Sequence, residues 1–431
     1  MMILFYTLCI RLAVPVLLLR LLWRSRRNPA YRYKLFERLG YRLLNKPESR
    51  ASEGDQWIWV HAVSVGETLA VAPLIEKLLN ADPKRQVVVT STTPTGRAQV
   101  ERLFDKRVSC CWVPFDTPGS VARFLKHWRP SLTVLVETEI WPNMVLQCKR
   151  QNIPVMLANA RLSSRSARGY ARAGSLAKPV IASLALIACQ QKADARRFIA
   201  LGADSHKTLV TGSMKFDIAR SRVIRQRDSL LEQLAMGSDR LIFLAGSTHH
   251  GEEELVVAAF TQLRKNAPSA LLVLAPRHPE RTASITRSIL APSPFHWLLR
   301  STGQVVSADT DILVLDTLGE LAALTAAADV SFIGGSLVPH GGHNPLEAAA
   351  FGVPVITGPH TFNFLQIFRA LRRAGGAIEV TDAATLGQAV GELLTQVAYR
   401  REVGSAASRY VEENQGALVR QHALIDQLLS D

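Results

Sequence analysis

The chain has 431 residues, of which 48% are hydrophobic and 20% charged, and its formal net charge is +15. This composition excludes an intrinsically disordered chain, and the length suits two domains with cores of ordinary size. The five cysteines show no metal-ligand spacing, and an odd number cannot all pair with one another. We therefore expect reduced thiols in a cytosolic compartment.

The N-terminal segment, residues 1–23, is almost wholly apolar apart from Arg11 and Arg20, and a cluster of three arginines follows at 24–27. A spanning helix needs about 20 apolar residues, and a central arginine costs about 2.5–3.5 kcal/mol on insertion. A spanning helix and a helix lying in the interface both fit this pattern. A cleaved signal peptide fits less well, because no small-residue cleavage site precedes the basic cluster. We interpret residues 1–23 as a membrane anchor, with the rest of the chain on the cytoplasmic side.

The positive charge is concentrated beside this anchor. Residues 1–50 hold eleven Lys or Arg against two Glu, so they supply +9 of the net charge. Basic and aromatic residues alternate in 24–50, a mixture that also occurs in nucleic-acid-binding segments. Next to an apolar anchor it favours a phospholipid surface, and we expect no nucleic-acid partner.

Short apolar runs alternate with helical stretches along the rest of the chain. This alternation predicts parallel, doubly wound sheets. A weakly patterned, charge-rich segment at 217–240 separates two series of runs, which we interpret as Rossmann-like domains at 24–218 and 219–431. The predicted strands are 57–60, 87–90, 108–113, 132–136, 154–157, 184–189 and 208–210, then 241–245, 271–275, 312–315, 330–333 and 353–357.

Two carboxylate motifs follow strands of the first domain. The motif 61–67 ends in Glu67, in the first turn of a helix that we expect to begin at Gly66 or Glu67. An acidic residue there ordinarily complements the helix dipole. Glu137 and Glu139 follow the run 132–136, and burying two carboxylates is costly unless they have a use.

Hydroxyl and basic residues follow other strands of this domain. The hydroxyl-rich turn 91–96 precedes a helix, and Lys215 lies in the motif 212–217. The stretch 161–178 has no acidic residue and is either a solvated face or a dock for phosphate groups. Its basic residues are Arg161, Arg165, Arg168, Arg172 and Lys178.

In the second domain, Arg277 follows the run 271–275 and offers a planar fork to a phosphate. Several histidines suggest a metal site, but neither His-x₃-His nor a cysteine-paired spacing is present. We therefore predict no metal. The histidines are His249, His250, His278, His340, His343 and His360.

The pattern of the segment 330–364 predicts a strand, a glycine loop, a helix, a second strand and a second loop. Gly334 and Gly335 allow a tight turn and a close approach by a ligand. Asn344 is a predicted N-cap, followed by Pro345 at the first helical position and by Glu347 as in a capping box. A helix N-terminus at this point would favour an anion such as a phosphate.

These motifs, in this order, resemble the signature of the Kdo transferases, which add 3-deoxy-D-manno-octulosonic acid (Kdo) to lipid A precursors. The resemblance implies the GT-B glycosyltransferase architecture, with an acceptor-binding first domain and a CMP-sugar-binding second domain. It implies Glu67 as the catalytic base and Glu137 and Lys215 as stabilising groups, and it leaves Glu139 as a structural partner. The implied substrate-binding residues are Pro276, Arg277, Leu318, Gly319, Glu320, Asn344, Pro345, Leu346 and Glu347.

The resemblance also implies a CMP-Kdo donor, a lipid IVA acceptor, an inverting single displacement and no cofactor. It places the enzyme at the cytoplasmic side of the inner membrane. Another membrane-associated GT-B nucleotide-sugar transferase is the alternative, because no residue distinguishes cytidine from uridine. A non-catalytic anionic-lipid binder is a further alternative, against which the carboxylates at Glu67 and Glu137 argue. The number of Kdo units, the oligomeric state and the orientation of residues 1–23 stay open.

Overall fold

The computed structural model describes residues 2–41, 56–237 and 240–430. It divides into two compact units: unit 1 comprises Met1–Asp217 with Gln415–Asp431, and unit 2 comprises Ile218–Asn414. Each unit contains a seven-stranded sheet whose paired strands are all parallel. The predicted α/β class, with two tandem Rossmann-like domains, is confirmed.

The sheet of unit 1 has the strand order β3-β2-β1-β4-β5-β6-β7. Its strands are β1 (Gln56–His61), β2 (Arg85–Ser91), β3 (Ser109–Trp112), β4 (Leu132–Val136), β5 (Val155–Ala160), β6 (Leu186–Cys189) and β7 (Thr208–Val210). Its first eight helices are α1 (Met2–Arg24), α2 (Val65–Ala81), α3 (Pro94–Phe104), α4 (Pro118–Trp128), α5 (Pro142–Arg150), α6 (Ser164–Arg172), α7 (Gly174–Ile181) and α8 (Lys192–Ala200).

The central strands of unit 1 are buried on both faces. All five residues of β4 and all six of β5 are buried, as expected of a parallel sheet covered by helices on both sides. On one face, Trp59 packs against Phe124 with ring centroids 4.4 Å apart, and Phe124 against Trp128 at 6.4 Å. This core leaves the loops after each strand to carry polar groups.

The sheet of unit 2 has the order β10-β11-β9-β8-β12-β13-β14. Its strands are β8 (Ile242–Thr248), β9 (Leu271–Pro276), β10 (Trp297–Leu299), β11 (Ile312–Val314), β12 (Val330–Ile333), β13 (Val355–Thr357) and β14 (Ala377–Glu379). Its helices are α9 (Arg220–Gln233), α10 (Glu253–Leu263), α11 (Thr282–Ile285), α12 (Leu321–Ala327), α13 (Leu346–Ala350), α14 (Leu365–Arg373), α15 (Ala383–Thr395) and α16 (Val397–Asn414).

All twelve predicted strands are present, but β10 and β14 were missed. Both are three-residue strands at the edges of the sheet and are only partly buried, so they carry little hydrophobic signal. The segment interpreted as a separator holds helix α9, of whose residues only Leu230 is buried. Its apolar pattern is weak for that reason.

The last helix, α17 (Ala417–Ser430), does not belong to the second unit. The predicted second domain was 219–431, but the structure assigns Gln415–Asp431 to unit 1. Ala417 and Ile425 are fully buried in the core of unit 1. Gln421 is also fully buried and hydrogen-bonds two polar groups of that unit. Burial of this apolar stripe explains why α17 belongs there.

Helix α1 continues from Met2 to Arg24 and is long and apolar enough to cross a membrane, by length and composition. It has this property alone among the helices of residues 2–41, 56–237 and 240–430. Thr7 is its one buried residue. This helix could anchor the chain to a membrane.

Candidate active site

The predicted site residues follow the carboxyl ends of strands in both units. Within a parallel sheet these ends lie at one edge, where open α/β sheets bind their ligands. In unit 1 this edge carries Glu67 after β1, Glu137 after β4 and Lys215 after β7. In unit 2 the motif beginning at Pro276 ends β9, and the motifs at 318–320 and 344–347 follow β11 and β12.

Glu67 lies in the first turn of α2. This helix begins at Val65, one residue before Gly66, the first of the two predicted starts. Ser64 is the N-cap, and its hydroxyl accepts a hydrogen bond from the Glu67 amide at 3.3 Å. The Glu67 carboxylate accepts from the Val63 amide at 2.7 Å and from the Ser64 hydroxyl at 3.1 Å. These bonds hold the carboxylate over the loop rather than on the solvent side of the helix.

The environment of Glu67 favours its neutral form. The pKa of Glu67 is raised to about 7, chiefly by burial. The nearby carboxylates of Glu139 and Glu137 also raise this pKa, whereas the hydrogen bonds from Val63 and Ser64 lower it. A carboxyl group that titrates near neutral pH can take up and release a proton under ordinary conditions. At Glu67 the effect of burial on the pKa therefore outweighs that of the hydrogen bonds, which favour the charged carboxylate.

Glu137 and Lys215 are brought together by the fold. The Lys215 Nζ lies 3.1 Å from the Glu137 Oε1, and both side chains remain partly exposed. Glu137 has a φ of +59°, which is uncommon for a residue with a side chain and is a form of local strain found at functional sites. The resemblance implied a stabilising role for each group separately, and no sequence pattern indicated that the two meet.

Glu139 lies beside a fully buried histidine. Its Oε2 accepts a hydrogen bond from the Trp141 indole at 3.0 Å and lies 4.0 Å from the His61 Nε2. Burial lowers the pKa of His61 to about 4, so the imidazole is neutral at pH 7. Burial and the charge of Glu137 raise the pKa of Glu139. No charge on His61 therefore offsets the carboxylates at this edge.

The loop carrying Lys215 is held by interior polar groups. The Asn159 side chain accepts from the Met214 amide at 3.2 Å, and the Asn159 amide donates to the Gln421 side chain at 2.9 Å. Gln421 also donates to the Thr211 hydroxyl at 3.0 Å. Asn159 itself has a φ of +51°. Helix α17 thus holds the loop that presents Lys215 directly at Thr211 and, through Asn159, at Met214.

The basic stretch of unit 1 is on the surface. Helix α6 has no buried residue, and all five basic side chains of 161–178 are exposed. This exposure is compatible with either interpretation of the stretch, a solvated face or a dock for phosphate groups.

In unit 2 a buried carboxylate organises the glycine loop. Glu252, fully buried, accepts hydrogen bonds from the amides of Gly335 at 2.6 Å, Ser336 at 3.0 Å and Leu337 at 2.9 Å. A side chain at Gly334 would meet the Ser247 carbonyl oxygen at 2.3 Å, so glycine is required there. The close approach that was predicted for a ligand at this loop is made by the protein's own backbone. The loop amides already have Glu252 as their hydrogen-bond partner.

The predicted anion site at 344–347 has a shorter helix than expected. Helix α13 has five residues and begins at Leu346, whose amide donates to the Asn344 side chain at 3.2 Å. Glu347 does not complete a capping box; it hydrogen-bonds the Asn344 side chain, and burial raises the pKa of Glu347. Leu346 is buried and Asn344 is partly exposed.

The other predicted nucleotide contacts have distinct surroundings. Pro276 is the buried end of β9, and Arg277 is exposed, its amide donating to the Thr248 carbonyl at 2.9 Å. Leu318 is 71% exposed, which is unusual for a leucine and suits contact with a ligand. Glu320 is engaged by Arg300 at 2.8 Å and by the Thr317 hydroxyl.

Four of the histidines, His249, His278, His340 and His343, lie close together beside the glycine loop. The Nε2 atoms of His249 and His343 lie 2.9 Å apart, and the His249 ring stacks on His340 at 4.2 Å. Burial first, and then nearby imidazoles and Arg277, lower the pKa of both His249 and His343 to about 4. Within the described ranges, no three His, Cys, Asp or Glu side chains are arranged to hold a metal ion.

Sequence reasoning missed Glu252, Asn159 and Gln421 as organising residues. In the sequence, Glu252 is the first of three consecutive acidic residues, 252–254. A run of three acidic residues at a helix start is a weak signal, because helix dipoles commonly explain it. The partners of Gln421 lie more than 200 residues away in the chain, so no local pattern could have indicated them.

The protein-family model described as "3-Deoxy-D-manno-octulosonic-acid transferase" matches residues 33–218. The chain is 38% identical over 418 residues to the 3-deoxy-D-manno-octulosonic acid transferase of Haemophilus influenzae, with 96% of each chain covered. It is 35% identical over 432 residues to the enzyme of the same name from Bordetella pertussis, again with 96% of each covered.

Solved structures of lower identity share the fold. A glycosyltransferase from Rickettsia africae is 13% identical with a TM-score of 0.54, covering 88% of this chain and 100% of that one. The UDP-GlcNAc 2-epimerase of Neisseria meningitidis is 14% identical with a TM-score of 0.54, covering 85% and 100%. These two likenesses concern the fold alone. The two full-length relatives go further, and by their identity and coverage this chain belongs to the family of 3-deoxy-D-manno-octulosonic acid transferases.

Proposed function

We propose that this enzyme transfers Kdo from CMP-Kdo to lipid IVA, the lipid A precursor, with Glu67 as the general base. Membership of the Kdo transferase family supports the donor sugar and the reaction class. The identity of the acceptor follows from the resemblance of the motifs. The reaction belongs to the synthesis of the inner core of lipopolysaccharide.

The observation that carries the proposal is the state of Glu67. Its carboxylate is aligned by the Val63 amide and the Ser64 hydroxyl, and its pKa is raised to about 7, chiefly by burial. A base works best when its pKa is close to the operating pH, since it is then ionised and still strong enough to accept a proton. Ordinary surface carboxylates do not meet this condition.

The proposed reaction is a single displacement. The acceptor hydroxyl oxygen forms a bond to the anomeric carbon of Kdo while the bond from that carbon to the phosphate oxygen of CMP breaks. The hydroxyl proton passes to Glu67, and the electron pair of the broken bond leaves with CMP. Attack from the face opposite to the leaving group inverts the anomeric centre.

The departing phosphate needs its charge stabilised rather than a proton. In unit 2 the exposed Arg277 is the candidate cation, with Asn344 and Leu318 among the neighbouring contacts that the resemblance implies. In unit 1, Lys215 is held against Glu137 at 3.1 Å, and we assign it to stabilising the transition state. A single phosphate carries less charge than a pyrophosphate, so we expect basic side chains to suffice without a metal ion.

The acceptor is a phosphorylated lipid, and unit 1 offers it an exposed basic face. Arg161, Arg165, Arg168, Arg172 and Lys178 are all exposed along or beside α6 and α7. We infer that they contact the acceptor's phosphates at the cytoplasmic side of the inner membrane, to which α1 attaches the enzyme.

The primary test is to incubate the full-length enzyme with CMP-Kdo and lipid IVA and to follow CMP release and product mass, with and without a chelator. A product heavier by one or more Kdo units that forms in chelator supports donor, acceptor and metal independence together. Absence of product and of CMP release would refute the assigned substrates and direct the search to other activated sugars.

Glu67→Gln tests the base directly. The variant keeps the size of the side chain and can still hydrogen-bond, but it cannot accept a proton, so we expect turnover to fall at least about 100-fold while CMP-Kdo binding persists. Glu76→Gln, on the exposed side of the same helix where Glu76 pairs with Arg107, is the matched control. Unchanged turnover in Glu67→Gln would exclude Glu67 as the base.

A further inference from the structure

We propose that helix α1 does not cross the membrane but lies along the surface of an anionic phospholipid bilayer. The inference rests on the membrane attachment proposed above and concerns its geometry. The outer face of α1, defined by Leu4, Phe5, Leu8, Leu12, Val16 and Leu19, then enters the apolar layer. The enzyme is held in one leaflet.

The start of α1 is bonded to the interior of unit 1. The Tyr6 hydroxyl donates to the Asp116 Oδ2 at 2.8 Å, and the Thr7 hydroxyl donates to the Asn143 Oδ1 at 3.0 Å. Asp116 and Asn143 are themselves buried, and Asp116 also accepts from the amides of Asn143 and Met144 at 3.0 and 2.7 Å. The first two turns of α1 are therefore fixed to the body of the unit.

The chain returns to the same place after α1. Glu37, fully buried, accepts from the Arg97 guanidinium and from the Trp112 amide, both at 3.0 Å. The Phe115 amide donates to the Arg38 carbonyl at 2.7 Å. Phe115 precedes Asp116, the partner of Tyr6, so the segment leaves and rejoins unit 1 at neighbouring residues.

A spanning helix is incompatible with these two attachments. From Thr7 to Arg24 the helix rises about 26 Å, which is close to the bilayer's apolar thickness of about 30 Å. If α1 spanned, its start and the segment that follows it would lie on opposite sides of the bilayer. The start, at Tyr6 and Thr7, and the following segment, at Glu37, are however both bonded to unit 1. The link from Ser25 to Glu37 would have to re-enter the bilayer with four basic residues, which membranes exclude. These are Arg26, Arg27, Arg32 and Lys34.

The exposure of α1 follows its helical period. Ile3, Ile10, Val14, Leu17 and Leu21 recur at three- and four-residue intervals and are partly covered. On the opposite side, the outer-face residues are between 55% and 73% exposed. A continuous apolar stripe with that much exposure is typical of an interaction surface.

The charges on α1 identify lipid as the occupant. At about 100° per residue, Arg11 and Arg20 project about 90° to either side of the centre of the outer face. From these flanks they reach the headgroup layer while the apolar face is immersed, as snorkelling side chains do. The arginines at 24, 26 and 27 add a positive end that attracts anionic headgroups.

Cysteine scanning tests the orientation. Cys9 is exposed and the other four cysteines are buried, so Cys9→Ser removes the accessible thiol. In that background, single cysteines at residues 4–22 are labelled with a fluorophore and the full-length protein is bound to vesicles of phosphatidylethanolamine and phosphatidylglycerol. Quenching by nitroxide-bearing lipids then reports the depth of each position.

We expect quenching to oscillate with a period of about 3.6 residues, with maxima at Leu8, Leu12 and Leu19 and minima at Ile10 and Leu17. A smooth profile, deepest at the middle of the helix whichever way a residue faces, would show a spanning helix and overturn the inference while leaving membrane attachment intact. Absence of quenching at every position would overturn both the in-plane arrangement and membrane attachment, and a protein partner would then be the occupant of this face.

Sidedness gives an independent readout. In spheroplasts of a Gram-negative host, we expect Met2→Cys in the Cys9→Ser background to resist an impermeant maleimide until the membrane is permeabilised. Lys84→Cys, at an exposed position of unit 1 far from α1 in sequence, is the matched control for the cytoplasmic side. Labelling of Met2→Cys from outside, with Lys84→Cys protected, would contradict the in-plane arrangement.

Discussion

Three carboxylates lie at the ends of the neighbouring strands β1 and β4, and the protein gives each a different environment. Glu137 is paired with the Lys215 ammonium, whereas Glu139 accepts from the Trp141 indole. Glu67 accepts hydrogen bonds from an amide and a hydroxyl, and its pKa is raised to about 7, chiefly by burial. Because its carboxyl group titrates near neutral pH and is held by hydrogen bonds, Glu67 is the residue suited to proton transfer.

Replacing Glu139 should change the pH profile. Glu67 is ionised above its raised pKa, so kcat/KM should fall about tenfold per pH unit below about pH 7. Glu139→Gln removes a negative charge that raises the pKa of Glu67, and the acid limb should therefore move to lower pH by about 0.5 unit. The measurement is kcat/KM against pH for both proteins.

Glu101→Gln is the control for that shift, because Glu101 is an exposed carboxylate of the same unit that pairs with Arg97. Its acid limb should match that of the parent enzyme. If Glu139→Gln left the limb in place or moved it to higher pH, the electrostatic coupling between Glu139 and Glu67 would be disproved.

Two elements hold the site loops from a distance in sequence. Helix α17 supports the loop that carries Lys215 through Gln421, and the start of α10 supports the glycine loop through Glu252. Each uses a fully buried side chain: Glu252 binds backbone amides, and Gln421 binds one backbone amide and one hydroxyl. Such a side chain stabilises one loop conformation, since breaking its bonds leaves polar groups buried without partners.

Gln421→Leu tests the contribution of α17. The change keeps the volume but leaves the buried Asn159 amide without its acceptor and removes the donor to the Thr211 hydroxyl, so we expect a loss of about 1–3 kcal/mol in the stability of unit 1. Denaturant unfolding with separate probes for the two units is the measurement. The exposed Gln427→Leu on the same helix should unfold like the parent protein. Equal midpoints for both variants would refute the role of Gln421.

At the scale of the molecule, the chain consists of two units that each have a core. The core of unit 2 is formed by residues between Phe243 and Val403, and it includes the buried Phe260 and Phe332. The return of α17 gives unit 1 both ends of the chain, whereas unit 2 is continuous in sequence. A continuous segment with its own core is a natural candidate for independent folding.

Residues 218–414 expressed alone should therefore fold and unfold cooperatively, and should bind CMP as the proposed nucleotide-binding unit. Arg277→Met in this fragment should weaken CMP binding by about tenfold or more through loss of a charge-assisted contact. Thermal unfolding and calorimetric titration measure the two properties. Arg401→Met, at an exposed position of α16, is the matched control. A gradual, non-cooperative melt would contradict independent folding.

The sequence by itself determined the two α/β series and twelve of the fourteen strands in the described part of the chain. It also determined the apolar N-terminal helix and the positions of the motifs after strands. These features follow from hydrophobic patterns a few residues long, which are local and can be recognised without a structure. The resemblance of the motifs then indicated Glu67, Glu137 and Lys215.

Only the tertiary structure decided which of these residues meet. Lys215 reaches Glu137 across 78 positions of chain, Glu252 binds amides 83 to 85 residues away, and Gln421 binds Asn159 across 262. It likewise tied the start of α1 and the following segment at Glu37 to unit 1, an arrangement that the composition of residues 1–23 left open. Contacts of this kind are set by the packing of distant elements, and burial of a group such as Glu67 exists only once that packing is complete.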